Sequence, residues 1–548
     1  MDRRDFLRSL ALTGAAAVAA CRDPPRALPP GDLLGPSFAS AHRLPAQGFP
    51  PPSETRRVAL AIVGGGVGGL AAGWRLARAG FADFLIVELE DTPGGNSRAG
   101  RNEISAYPWG AHYLPLPTSE AGAVRELLAE LGVLHGDPHA VQPTYDENYL
   151  CATPQERLYR HGRWQEGLLP IAADAHERAE YQRFAELIDG YRHRRDRRGR
   201  RAFALPMEKS SRDADLIALD RLSMRDWLHS RGFVSPQLHW YVNHACCDDY
   251  GTGSAAVSAW AGIHYFACRD GQASNASSDI VLTAPQGNAW LVDGMLRSIG
   301  QRVGERLLTG ALAFRVAGGE TPGKEPLIVD LWLASEQRTL RLLAGQVIWA
   351  APVFLLAHVL AGRAALRAAA RRYTYAPWLV ANLSLARFPD DRLGAARSWD
   401  NVLYAGQGLG YVDATHQRMR VAPGRTVLTY YRSFAELTPE EGRLLLREAS
   451  REFWAEQILS ELELPHANLR QVVTRLDVYR HGHAMCRPLP GLIWGGERAR
   501  FAADGARLRF AHADVSGFSL FEEAHYRGVL AAERSFRSLG VASASLLD

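Results

Sequence analysis

The sequence predicts an α/β protein built on a parallel sheet, its main domain interrupted by insertions that pair into a second, α+β domain. Three observations carry that prediction. An apolar run, a glycine-rich turn and a helical stretch follow one another from Val58 to Ala79. Apolar strand segments return late in the chain, in "GQVIWAAPV" and again in "RLRFAHADV". Between them lie segments with helical periodicity, such as "RLLLREASREFWAEQILSEL".

Val58 to Val63 suits a strand buried on both faces. Gly64, Gly66 and Gly69 then spell G-x-G-x-x-G, and Gly65 and Gly68 complete the turn. The first glycine permits the tight turn, the second lets backbone approach a pyrophosphate, and the third lets helix pack on strand. Leu70 to Ala79 supplies the helix, whose positive N-terminal end would face phosphate. A second strand, Phe84 to Val87, ends at Glu88, where a carboxylate can accept from ribose hydroxyls. Strand, glycines, helix, strand and acid in this order specify a Rossmann-type dinucleotide site.

The continuation "ELEDTPGGNSRAG" resembles the second-strand signature of the flavin-containing amine oxidase superfamily, whose relatives include protoporphyrinogen oxidases and phytoene-desaturase-like enzymes. The resemblance implies FAD, with Gly94, Gly95, Asn96 and Ser97 near the diphosphate and Arg98 standing two positions beyond the family's usual arginine. It recurs in "YPWGAHYLPLP", which implies Gly110, Ala111 and His112 beside the flavin, and in "APQGNAWLVDGMLRSIG", "GALAFRV" and "GQVIWAAPV". The closing "RLRFAHADVSGFSLFEEAHYRGVLAAERSF" implies Asp514 at a ribityl hydroxyl and a helix whose start, near Leu520 and Phe521, faces the flavin pyrimidine. Glu523 replaces the family's usual glycine there.

The chain then divides into a discontinuous Rossmann-type FAD-binding domain over residues 56–150, 270–350 and 470–548, and an inserted α+β substrate domain over 151–269 and 351–469. Ahead of both, "RRDFLRSLALTGAAAVAAC" resembles a twin-arginine export signal (residues 1–20) ending in a lipobox at Cys21. An ordinary signal with a chance cysteine is the alternative. Residues 21–55 are proline-rich and read as a tether outside the fold. Such a signal implies a chain folded around FAD in the cytoplasm, exported through the twin-arginine machinery, and held at the periplasmic membrane by a lipid anchor.

The net charge of +4 over 548 residues gives no reason to expect nucleic acid as a partner. The scatter of the cysteines fits neither zinc nor a disulfide framework, and no metal is expected. Family members commonly place a lysine near the flavin, on the strand after the Ala-Pro motif. The matching stretch "YAPWLVANLSLARFP" has none, and the chain's two lysines, Lys209 and Lys324, lie elsewhere. Candidate catalytic residues are instead Tyr411, His416 and Gln417 in "NVLYAGQGLGYVDATHQ", and His483, with Met485 beside it, in "RHGHAMCRPLPG". The acids of "HACCDDYG" could bind a cationic amine or merely cap a helix.

The expected function is hydride transfer from a small substrate to FAD, with oxygen or a quinone as final acceptor. Amine or polyamine substrates are implied by resemblance. The alternatives are a desaturase or dehydrogenase of a lipid-like substrate, and a non-catalytic flavin-binding electron-transfer component.

Overall fold

The computed structural model describes residues 27–46, 48–318, 325–418, 424–503, 505 and 507–547. The export signal, Cys21 and Lys324 lie outside the described residues.

The apolar run near residue 60 becomes the last part of a long strand, Pro52–Val63, whose Leu60, Ala61 and Ile62 have no exposed surface. It lies between two parallel partners, Phe84–Val87 and Arg338–Trp349. Leu307–Leu308 extends this sheet in parallel beyond Phe84–Val87, and Leu508–Phe510 runs parallel to the end of Arg338–Trp349. Leu327–Leu333 and Ala311–Ala317 add an antiparallel meander to its first half. The glycine turn feeds the helix Val67–Arg78, which packs against the C-terminal helix Phe521–Leu539. Their contact is backbone to backbone: a Cβ on Gly528 would stand 2.2 Å from the Gly68 oxygen. Buried Arg75 ties the two helices through Glu533 at 2.7 Å and lies over the Phe536 ring.

The second sheet has eight strands in the order Leu33–Leu34, Val473–Cys486, Tyr375–Leu385, Thr426–Ser433, Gly410–Asp413, Asp400–Leu403, Glu156–Arg160 and Arg163–Glu166. Tyr375–Leu385 is buried at every position because it is central, flanked by strands and covered on both faces. Residues 175–268 supply a layer of helices, including Ala175–His193, Pro236–Tyr250 and Ala259–Ala267. Among the described residues, no helix is long and apolar enough to cross a membrane.

Two expected boundaries shift. Val473–Cys486 pairs along Tyr375–Leu385, so this stretch, expected with the flavin domain, is a strand of the second sheet. The tether is also partly built in. Leu33–Leu34 pairs with Val478–Tyr479, and Leu44 is buried in the core of the first domain. Proline removes donors only where it stands, and Leu33 and Leu34 keep theirs.

Candidate functional site

Two cavities adjoin where the sheets meet. The larger, of about 340 Å³, runs past the glycine turn, and the smaller, of about 130 Å³, opens off it toward the helical layer. Asn96, Ala111, Ala484, Ser519, Leu520 and Phe521 line both, so they form the junction.

The larger groove is a backbone cradle. Gly64 holds φ +113°, a conformation open to glycine. Gly66, Val67 and Gly68 bring the start of the helix to the groove wall, where its unpaired N–H groups favour an anion. Gly94 and Gly95, at φ +120° and +56°, form the opposite turn. A Cβ on Gly95 would come within 3.4 Å of the Gly66 Cα. Gly69 is required by packing, since its Cβ would overlap the Gly64 oxygen at 1.8 Å. Glu88 accepts from the Gly65 N–H at 2.6 Å and the Glu90 N–H at 2.9 Å, and it lines the groove. Burial raises its carboxyl above the ordinary range, and the two N–H groups oppose that rise. A helix N-terminus for phosphate, a carboxylate for ribose and an apolar wall at Leu312 and Ala313 fit FAD.

At the junction, Gly110 lies against the Asn96 oxygen, where a Cβ would approach to 2.3 Å. The Ala111 N–H donates to that oxygen, and the Asn96 amide donates to Ala484. Leu520 caps the C-terminal helix without a side-chain hydrogen bond, and the first turn of that helix opens on both cavities.

The smaller cavity holds three carboxylates and one guanidinium. Asp248 and Asp249 end the helix Pro236–Tyr250, which Gly251 terminates at φ +60°. Arg269 pairs with Asp249 at 2.6 Å and lies over the Tyr265 ring. The Tyr113 hydroxyl lies 3.3 Å from Asp248 and 3.4 Å from Asp249. Asp248 has no cation of its own, and burial, reinforced by the Asp249 charge, pushes its carboxyl up to about 7. Burial raises Glu522, across the cavity, to about 7 as well. Asp249 Oδ2, Arg269 Nε and Asn288 Oδ1 are buried without a protein partner.

Residues 62–131 match the model of the NAD(P)-binding Rossmann-like domain. No curated protein sequence matches the chain. Among solved structures, putrescine oxidase with bound putrescine superposes with a TM-score of 0.62 at 15% identity, over 88% of this chain and 100% of that one. Cyclohexylamine oxidase from Brevibacterium oxydans IH-35A gives 0.62 at 14% identity, over 88% and 99%. A fatty acid isomerase from P. acnes that produces CLA gives 0.59 at 14% identity, over 87% and 98%. The chain has the amine-oxidase fold.

Within the amine-oxidase fold, most cofactor residues expected from sequence stand on the groove: Gly64, Gly66, Gly68, Glu88, Gly94, Gly95, Asn96, Ser97, Ala111, Leu520 and Phe521. Gly65 is one step behind, held by Glu88, and Gly110 and His112 line the smaller cavity. Arg98 is corrected. Its guanidinium turns away to Tyr479, Glu90 and the Gly95 oxygen, bracing the Gly94–Gly95 turn from outside. Asp514 does not itself line the groove: its Oδ2 takes the Val353 N–H and the Tyr375 hydroxyl, its Oδ1 is buried beside His512 without a hydrogen bond, and its neighbours His512 and Ala513 reach the groove wall.

The catalytic candidates fare differently. Tyr411 donates or accepts with His466 at 2.6 Å in the core of the second sheet, away from both cavities. His416 and Gln417 clamp the Asn148–Ala152 segment through its backbone. None of the three lines either cavity, and the bonds they make hold protein segments together. His483 lines the cofactor groove, stacked on Phe354 at 4.7 Å, and burial lowers its imidazole to about 4. Met485 lines the smaller cavity, and the buried Cys486 lines neither. Glu523 faces away, toward Ser516 and the Met207 N–H.

Sequence reasoning missed Tyr113, Arg269, Trp378, Tyr431 and Glu522. Tyr113, Trp378 and Glu522 carried a signal, since each lies within a stretch that resembles the family; Arg269 and Tyr431 carried none.

Proposed function

We propose that the protein is an exported FAD-dependent oxidoreductase that oxidises a small amine or polyamine at the carbon beside nitrogen. FAD, when bound, supplies the acceptor for a hydride. The chain's own residues bind and orient the cation. Asp248 and Glu522 offer carboxylates to an ammonium group, Tyr113 holds Asp248 and Asp249 in place, and Trp378 and Tyr431 give apolar walls. The supporting observation is the charge balance of the cavity: three carboxylates face one guanidinium that Asp249 already neutralises. Further carboxylates, Asp400 and Glu156, repel Asp248, which favours a ligand with more than one cationic centre. A free fatty acid would meet repulsion instead, because the Arg269 charge is already balanced by Asp249 and two further carboxylates remain.

An anaerobic titration of the purified holoprotein tests this reading. Putrescine, longer polyamines, monoamines, amino acids and isoprenoid lipids are added in turn while flavin absorbance is followed. Bleaching by amines is expected, and bleaching by lipids alone would overturn the reading. Export through the twin-arginine route is part of the proposal. Changing Arg3 and Arg4 to Lys should keep flavin-loaded protein in the cytoplasm, and Cys21→Ala should free the exported form from the membrane.

A further inference from the structure

We propose that residues 29–46 belong to the cofactor site, as a strap that closes the end of the groove marked by Glu88. The inference rests on the FAD reading. The strap starts on the second sheet. The Pro29 oxygen accepts from Arg451, the Pro30 and Asp32 oxygens accept from the Leu476 and Val478 N–H groups, and Leu33–Leu34 pairs with Val478–Tyr479. Gly31 approaches so closely that a Cβ there would lie 1.8 Å from the Leu476 oxygen. The chain then crosses to the first domain. The Ser37 N–H and hydroxyl both donate to the Glu90 carboxylate, at 2.9 and 3.1 Å. Ala41 and Leu44 complete the groove wall beside Glu88, Leu89, Leu312 and Ala313. Arg43 anchors the far end over the rings of Phe49 and Trp332.

Two features distinguish this segment from a passive tether. Its apolar side chains face the groove at the carboxylate end, where an adenosine would lie against them, while the helix N-terminus serves the phosphates. It also spans both sheets, so the groove end it covers can open only if an edge pairing or the Ser37–Glu90 bonds break. Release of FAD then requires local opening of the strap, and FAD in turn holds the strap closed.

Two measurements on the full-length protein test the proposal. In Gly31→Val the side chain must displace the Leu476 contact, lifting the strap while leaving every residue that lines the groove unchanged. Release of FAD, read as recovered flavin fluorescence after dilution, should accelerate about tenfold or more, equivalent to about 1.4 kcal/mol. Amide hydrogen exchange over residues 30–46 should be slower in the holoprotein than in flavin-stripped protein. Unchanged release from a variant whose strap exchanges faster would overturn the proposal. Equal strap exchange with and without FAD would overturn it also, and this comparison decides if Gly31→Val leaves exchange unaltered. Protein that purifies without flavin and takes up none overturns the FAD reading itself.

Discussion

Asp248 is a carboxylate poised near neutrality because it is buried beside Asp249 and has no cation of its own. It sits in the last turn of its helix, where the macrodipole also disfavours negative charge. A cationic substrate binds the ionised form, so its affinity should rise as pH increases through about 7, until the amine loses its own proton. Asp248→Asn should weaken amine binding and flatten that pH dependence. The linked stability has the opposite sign. A carboxyl raised in the folded state binds its proton more tightly than the unfolded chain does, so stability falls as pH rises from the ordinary carboxylate range to about 7. Relative to the parent, Asp248→Asn should therefore melt progressively higher as pH rises from the ordinary carboxylate range to about 7. Glu88→Ala removes a buried acceptor and should lower FAD occupancy, by about 1.5–3 kcal/mol of binding if the lost bond is charge-assisted. Full retention of flavin after dialysis would refute its role. Tyr411→Phe, by contrast, should leave turnover unchanged and cost about 1 kcal/mol of stability through the lost His466 bond.

Elements are set by caps and close approaches as much as by periodicity. The stretch that reads as one helix around residue 450 forms two, Pro439–Glu448 and Arg451–Leu462. Ser450 breaks it by accepting from the Phe453 N–H as an N-cap, and Thr438 opens the first helix with a capping box. The glycine turn is held from behind by the last strand and the C-terminal helix. Gly68→Ala would place its Cβ 2.0 Å from the Ala511 oxygen, so it should cost about 1–3 kcal/mol or more in overpacking. Thermal melting of the flavin-stripped protein separates that loss from any loss of cofactor contact. Gly80, with open space around it, is the control, and a bulky residue there meets only the strain of φ +76°.

At the scale of the molecule, the two sheets meet over the junction of the cavities, and Val473–Cys486 carries His481, His483, Ala484 and Met485 from one sheet into it. No lysine lines either cavity among the described residues, and the one guanidinium in the smaller cavity is neutralised by Asp249. Without a lysine there, oxygen chemistry on the reduced cofactor would have one fewer source of electrostatic help. After anaerobic reduction by substrate, a soluble quinone should reoxidise the flavin faster than dissolved oxygen does. Stopped-flow reoxidation checks this, and rapid, stoichiometric peroxide formation in air would contradict it.

The sequence by itself determined the dinucleotide half of this protein. Gly64, Gly66, Gly69 and Glu88 are legible because their function depends on local backbone shape, which a short run of residues encodes completely. The same holds for the Gly94–Gly95 turn and for the start of the C-terminal helix. Only the tertiary structure decided where Arg98, Asp514, Tyr411, His416 and Gln417 stand, since each bonds at least one partner distant in the chain. The smaller cavity was decided the same way, apart from Asp248 and Asp249, which the sequence already offered as acids for a cation or a helix cap. Tyr113, Asp248, Arg269, Trp378, Tyr431 and Glu522 come from six separate elements and share no spacing. The strap is the strongest case: its proline-rich composition reads as linker, and edge pairing with a strand some 440 residues away turns it into part of the site. Local conformation is written in neighbouring residues, whereas a pocket is written in the packing that brings distant ones together.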